Sequence, residues 1–414
     1  MVYKDKKIFR FEIVFFVFFY LKENNMNIGK TVFSQIMSFL PKYEFDKCVN
    51  RYNGDYKTRK FNCWSQFLCM SFAQLTFRES LRDIEACLNA ISSKRYHMGL
   101  KNRIAKSTIA YANETTDWRI YADFANVLIQ KALSLYKDDS DLAIDLKNAV
   151  YALDSTTIDL CLSMFPWAEF RKTKSAIKLH TILDIKCSIP TCLLITEGKV
   201  HDVNILDKIS LEPGAFYLID RGYTDYKRLF HITQCSCYFV IRAKTNLSFE
   251  RLYSRKVDKS KNIICDQIVR LKGFYSKQDY PDKLRRIKIY DTDKESYLII
   301  LTNNFILNAP VIAELYRNRW KIELFFKWIK QHLRIKSFYG TSINAVKTQV
   351  WISISMYVLI AIIKKQLKIE LNLYSILQIF SIALFEKIPM NTMFSKNDYT
   401  KYYFQNSNSL SLFD

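Results

Sequence analysis

AVYALDSTTI, residues 149–158, is the point at which the chain changes its hydrophobic period. Two more runs rich in β-branched residues follow, AIKLHTILDIK (176–186) and TCLLITEG (191–198), joined by CSIP at 187–190 as a tight turn. VHDVNILDKI (200–209) reads as a helix opened by Asp202 as N-cap, and GAFYLID (214–220) as a buried strand. The order is β-β-β-α-β, with Asp154 at the end of the first strand and Asp220 at the end of the fourth. An acid at a strand end is most often a cap or turn residue, so neither is informative alone.

Upstream, from about 27 to 145, the apolar residues recur at helical spacing, as in VFSQIMSFL (32–40), WSQFLCMSFAQL (64–75), SLRDIEACLNAI (80–91) and YADFANVLIQKALSLY (121–136). The stretches 78–92 and 106–115, separated by the basic SKRYHMGLKNRIAK, read equally as a helix-turn-helix DNA reader and as an ordinary helical bundle. Their spacing is looser than the usual short turn. KDDSDLAIDLKN at 137–148 reads as a solvated linker. Downstream, CYFVIRAK (237–244), NIICDQIVRL (262–271), LRRIKIYD (284–291) and SYLIILTN (296–303) make a second strand-rich block. Apolar helices at 351–364 and 374–386 and a polar tail from 391 follow. The first 25 residues have a basic start and an apolar middle like a signal peptide, but Arg10 and Glu12 interrupt the run and no small-residue cleavage site follows. The apolar core is also too short for a bilayer. We read 1–25 as an upstream or spurious extension ahead of Met26.

With 414 residues, 49% of them hydrophobic, and only 8 Gly and 7 Pro, the chain has the composition of an ordered protein of two or three domains. Its 62 basic against 40 acidic residues give a net charge of +22, which fits a polyanion partner. The basic residues are spread (KTRK at 57–60, KLRRIK at 283–288), which points to a folded basic surface instead of a tail. Ten cysteines include no CxxC pair and no zinc spacing. Several, such as Cys69 and Cys192, sit in apolar runs, as expected of reduced thiols in a cytoplasm.

YRNRWKIELFFKWIK (316–330) adds a third acid. At about 100° per residue, Tyr316, Arg319, Glu323 and Lys330 share a helix face about 60° wide, among Trp320, Phe325, Phe326 and Trp328. A solvated stripe explains such a face without chemistry, and the two tryptophans read as core packing. His180 and His231 read as structural residues. Asp202 reads as a helix cap, with a place near a metal as the lesser alternative. Taken together, Asp154, Asp220 and Glu323 are hard oxygen donors on two strand ends and a helix. Such a set can hold two Mg²⁺ ions, or Mn²⁺, and suits in-line phosphoryl transfer.

The spacing Y-x2-R-x3-E-x6-K, preceded by LDSTTI and DRGY, resembles the DDE transposases of bacterial insertion sequences, in the branch defined by the Y-R-E-K signature. The resemblance covers about 149–365. It implies an α/β fold: an RNase H-like catalytic core over 146–365, interrupted by a β-strand-rich insertion at about 235–303. An all-helical DNA-binding domain at 26–145 would precede it, and a C-terminal helical region and tail at 366–414 would follow. It further implies Asp154, Asp220 and Glu323 as catalytic metal ligands for two Mg²⁺ ions. Tyr316, Arg319 and Lys330 would hold transposon-end DNA, with Arg221 as a further phosphate contact or a surface ion pair. Implied partners are double-stranded DNA (terminal inverted repeats and target) and a second copy on paired ends. The implied place is the bacterial cytoplasm, at the nucleoid, with no membrane. Some relatives stack a flipped base on a tryptophan of the inserted block. This chain has no Trp between Trp167 and Trp320, leaving Tyr253, Phe274 or Tyr275 as replacements and putting a hairpin route in question. Two other readings stay open: a Mg²⁺-dependent nuclease that cuts without joining, and a DNA-binding regulator or decayed transposase whose acids are structural.

Overall fold

The computed structural model describes residues 29–139, 142, 144, 146–292, 295–333 and 338–394. The extension read at 1–25, part of the linker at 137–148 and the tail beyond 394 lie outside the described residues. The chain divides into two compact units. One comprises the described residues up to Leu128 with those of His332–Gly340 and from Asn344 on. The other comprises Ile129–Gln331 with Thr341–Ile343.

The first unit is helical. Its N-terminal helices are α1 (Val32–Ser38), α2 (Lys42–Arg51), α3 (Cys63–Leu75), α4 (Leu81–Ala90) and α5 (Lys106–Thr115), with the start of α6 (Arg119–Leu135). Their starts follow from local chemistry. The side chains of Thr31, Asn62 and Ser80 accept from the backbone N–H of Ser34, Ser65 and Asp83, satisfying donors a helix start leaves open. The core is aromatic: Phe45 meets Phe124 edge-on at 4.9 Å, and Trp64 stacks on Phe67 at 5.5 Å. One buried polar cluster is fully connected. Gln66 donates to Asn113 (2.8 Å) and accepts from Tyr121 (2.7 Å).

Helix Ile343–Gln366 is long and apolar enough to cross a membrane, yet 94% of its apolar window is buried. It is the core helix of this unit. Asn344 pins its start, donating to the carbonyls of Asn113 (2.9 Å) and Thr116 (2.7 Å). Between α4 and α5 lie a helical turn (Ser92–Arg95), a 3-10 turn (Tyr96–Met98) and Gly99 at φ +84°. The tight turn of a helix-turn-helix is therefore absent there.

The second unit is built on one sheet. Strand β1 (Val150–Leu160) pairs antiparallel with β3 (Lys174–Asp184), whose far edge carries β4 (Ile189–Glu197) and the short β2 (Glu169–Arg171). On its other side β1 runs parallel to β5 (Phe216–Ile219), and β5 parallel to β6 (Tyr238–Arg242). This is the expected α/β, RNase H-like sheet. β5 is buried throughout, as a parallel strand covered on both faces must be, and reads as the unbroken run FYLI. Two expectations are corrected. VHDVNILDKI is a 3-10 turn, Asp202–Asp207, entered by His201. It is no Asp-capped helix, because the Asp202 carboxylate bonds elsewhere, to Ser155 and Lys178. The stretch read as inserted from about 235 begins with β6, which belongs to the parallel core.

The strands after β6 extend the same sheet. β10 (Ser296–Thr302) pairs antiparallel with β6, and β9 (Leu284–Asp291), β8 (Ile263–Leu271) and β7 (Phe249–Arg255) follow outward. β7, FERLYSR, escapes a hydrophobic reading because it is an edge strand with charged residues facing solvent. Within KLRRIK, Arg285 is 1% exposed and forks onto the buried Asp266 at 2.9 and 2.7 Å, so that basic run is only partly surface. Arg285 also donates to the carbonyls of Asn304 (3.2 Å) and Leu307 (2.6 Å). Those carbonyls belong to the turn that leads into helix α8 (Ala309–Asn318), which is followed by α9 (Trp320–His332).

Candidate active site

The register of the parallel ladder brings the first two acids together. Its last pair is Leu153 with Ile219, so the next step sets Asp154 beside Asp220 on strands about 4.8 Å apart. β5 ends there, and Asp220 caps the 3-10 turn Arg221–Tyr223, accepting from the Gly222 N–H at 3.3 Å. β1 does not end. It runs on against β3 to Leu160, so Asp154 stands in mid-strand, at the end of the parallel pairing alone.

Glu323 comes from the helical side. The single helix expected over 316–330 is two, α8 and α9, meeting at Arg319. There the N–H groups of Arg319 and Ile322 reach back only three residues, to Tyr316 and Arg319, both at 3.1 Å. Arg319 keeps helical dihedrals (φ −52°, ψ −31°), so the polar stripe survives the break. Its guanidinium donates to Asp154 at 2.9 Å and to Glu323 at 2.5 Å, bridging the two carboxylates. Burial pushes the Asp154 carboxyl up to about 6. The Ser155 N–H (2.8 Å) and Arg319 pull it down, and the charges of Asp220 and Glu323 push it further up. Asp154 therefore feels the charge of both other acids.

The other residues of the stripe have settled partners. Tyr316 is 8% exposed, its hydroxyl pushed up to about 12 by burial, and the Arg319 guanidinium lies 6.0 Å from its ring. Lys330 donates to the Thr157 carbonyl of β1 at 2.8 Å. Arg221 is exposed and makes no ion pair among the described residues. Trp320 is 55% exposed, against its reading as core. His231 is exposed as well, because its side of α7 (Tyr226–Gln234) faces solvent. Among the described residues no three His, Cys, Asp or Glu side chains stand close enough to hold one metal ion. The acids are oxygen donors only, and Arg319 balances two of them.

The sequence reading missed the support behind β1. Pleating turns Asp154 and Ser155 to opposite faces. Ser155 donates to Asp202 at 2.8 Å, and Lys178 reaches the same oxygen at 3.2 Å. Asp202 thus braces the far face of β1. The signal was Lys178 and His180, two apart and so on one face of a strand whose centre is mostly apolar. His180 is 1% exposed, with Nε2 2.8 Å from the Thr196 hydroxyl, and burial lowers its pKa to about 4. The unfolded chain binds a proton on this residue below about pH 6.5, while the folded chain does so only near 4. Its contribution is therefore intact above pH 6.5 and is lost as pH falls towards 4, by about 3 kcal/mol. In urea unfolding across that window, the wild type should lose about 3 kcal/mol relative to His180→Gln as pH falls, and a constant difference between the two would refute the assignment.

The family described as "Transposase DDE domain" matches residues 145–359, and one described as "Domain of unknown function (DUF4372)" matches 28–101. A Sinorhizobium fredii protein named as a transposase, y4zB, is 34% identical over 241 residues, covering 57% of this chain and 66% of that protein. A Geobacillus stearothermophilus protein, named as a transposase for insertion sequence element IS5377, is 29% identical over 234 residues, covering 55% and 61%. The matched stretch thus spans a little under two thirds of both relatives. A solved piggyBac transposase synaptic complex with hairpin DNA aligns over 95% of this chain and 85% of its own, at 10% identity and a TM-score of 0.44. Nothing further rests on so low a likeness.

Proposed function

Because the chain belongs to the Transposase DDE domain family, we propose that it cuts DNA at the ends of an insertion sequence and joins the freed 3′-hydroxyl to target DNA. The observation that supports it is the Arg319 bridge between Asp154 and Glu323, with Asp220 set by the parallel register beside Asp154. The family is generally dependent on divalent metal ions. Asp154, Asp220 and Glu323 would hold them here, and three carboxylates with no His or Cys suit Mg²⁺ or Mn²⁺, two per site. When bound, such ions activate the attacking oxygen and stabilise the leaving one.

The chain's own part is positioning. Arg319 bonds two of the carboxylates, and holding ions there would free its fork from at least one of them. Released, its fork is presented to a phosphate beside the acids, with Arg221 free next to Asp220. Tyr316 keeps a protonated hydroxyl there over the whole neutral range. Lys330, held against β1, adds positive charge without leaving the protein. We further read the chain as a Y-R-E-K branch member that pairs two copies on the element's ends, at the nucleoid. In this reading the inserted strands start after β6, and helix Ile343–Gln366, which lies in the helical unit, is not part of the catalytic domain drawn at 146–365. One observation favours a chain that binds DNA without cutting it: Arg319 already satisfies Asp154 and Glu323.

The test is a cleavage assay on labelled DNA carrying the sequences that flank the gene, with Mg²⁺, Mn²⁺ or EDTA. Cuts at the element boundary with either ion, abolished by EDTA, are expected, followed by joined products when target DNA is added. Binding with no cut in any metal would leave only the silent reading.

A further inference from the structure

The sheet holds one buried group that the site as described leaves idle. β3 turns Ile177, Leu179, Thr181 and Leu183 to the same face as Asp154, and all four are at most 1% exposed. A valine in third place would complete an apolar row. Thr181 stands there instead, with a hydroxyl that has no hydrogen-bond partner among the described residues. Other hydroxyls buried in this sheet are satisfied. Ser175 donates to the Phe165 carbonyl (2.9 Å) and Thr302 to that of Phe239 (2.6 Å). Burying a hydroxyl unpaired costs stability, so its presence points to a partner met at another stage of the reaction.

The ladder identifies that partner. Thr181 lies directly opposite Asp154, and opposed residues of antiparallel strands share a face with their Cβ atoms about 4.5–5.5 Å apart. On its other side Thr181 meets Leu193 of β4, whose side chain offers no acceptor. Asp154 has room for another donor. A carboxylate accepts at about four positions, and this one accepts from the Ser155 N–H (2.8 Å) and from Arg319 (2.9 Å).

We propose that Thr181 is a positioning residue for strand cleavage: its hydroxyl donates to the Asp154 carboxylate when the Arg319 fork turns from that carboxylate to a DNA phosphate. The inference rests on the DNA-cutting function argued above. While Arg319 is in place, it holds the second carboxylate oxygen from the helical side. Once the fork leaves, the Ser155 N–H holds one oxygen and the other is free to turn. A hydroxyl rotates about its C–O bond, so Thr181 takes that oxygen without movement of either strand. The β-branched side chain is stiff at χ1, which suits a donor that must serve one fixed acceptor. Asp154 is thereby kept at one angle through a step in which an error of about 1 Å costs about a hundredfold in rate.

The experiment compares the full wild-type chain with Thr181→Val and Thr181→Ser. Three quantities are measured: single-turnover cleavage of a labelled duplex carrying the flanking sequences, affinity for the same duplex, and thermal melting. Valine keeps the shape and removes the hydroxyl. It should slow cleavage by about ten- to a hundredfold with duplex affinity unchanged. It should also raise the melting temperature by about 2–4 °C, because the unpaired hydroxyl is gone. Serine restores the hydroxyl but drops a buried methyl, so it should melt below the wild type and recover most of the lost rate. Rate and stability then rank the two variants in opposite orders, which a merely structural threonine would not produce. Thr181→Val cutting at the wild-type rate overturns the proposal and leaves the DNA-cutting reading standing. So does a loss of rate that serine does not recover. A valine variant that melts below the wild type overturns it too, since the hydroxyl then has a partner in the free chain. A wild-type chain that cuts no DNA overturns the cutting function, and the role of Thr181 falls with it.

Discussion

Glu323→Ala and Asp154→Ala each lower strand cleavage by at least about a thousandfold, equivalent to about 4 kcal/mol of transition-state stabilisation, with DNA binding changed little. Each of the three acids would supply charge that no neighbour replaces. Loss of one would leave the ions proposed above short of a ligand. The sharper variant is Glu323→Gln. Its amide oxygen still accepts from Arg319, so the junction of α8 and α9 and the melting temperature should stay as they are, while the negative charge is gone. Cleavage lost with the fold intact assigns Glu323 to chemistry. A Gln variant that cuts at the wild-type rate would reduce Glu323 to a partner of Arg319. Arg319→Lys separates the roles again, since a single ammonium cannot fork onto two carboxylates or a phosphate.

Asp266→Ala destabilises the chain by about 3–5 kcal/mol, because it leaves the Arg285 guanidinium buried with no counter-charge. That is a large share of the 5–15 kcal/mol by which a typical domain is stable, so much of this variant should be found unfolded or aggregated on expression. The pair lies under the turn at 304–307, which Arg285 holds through two carbonyls and which starts α8. Arg285→Met with Asp266→Leu removes both charges at similar volume and should recover most of the loss in urea unfolding. If Asp266→Ala unfolds at the wild-type urea midpoint, the pair does not hold the turn. A recovered double variant that cuts more slowly would show that the pair also sets the approach of α8 and α9 to the sheet.

Much of the site was legible because its signals are local. Asp154 and Asp220 each follow an apolar run, and Tyr316, Arg319, Glu323 and Lys330 recur at helical spacing, which a backbone break at Arg319 does not disturb. What was illegible depends on partners distant in the chain. That Arg319 bridges Asp154 and Glu323, and that Lys330 is tied to the Thr157 carbonyl, follows from packing between a helix and a strand more than 150 residues apart. Asp202 illustrates the same limit. Its position suggests a cap, but tertiary bonds from Ser155 and Lys178 take the carboxylate, and the segment winds only into a 3-10 turn. The basic run at 283–288 misled in the other direction, because composition does not distinguish a solvated arginine from one buried on an aspartate. β6 was placed with the insertion for want of any local mark of its neighbour, since parallel pairing with β5 leaves no turn between them to read.

The hydrogen-bonded path from β5 through β6, β10, β9 and β8 to β7 is unbroken, and all of it lies in one compact unit. From β5, which Asp220 ends, to β7 there are five strand steps, about 24 Å at 4.8 Å each. A flap on a flexible stem would let its tip wander, whereas this extension keeps its outer edge at a set offset from Asp220. A polymer lying across both would be measured: at about 1.7 Å of helix axis per phosphate over both strands, that offset spans about seven base pairs. The sheet is in this sense a ruler, and its strand count is its scale.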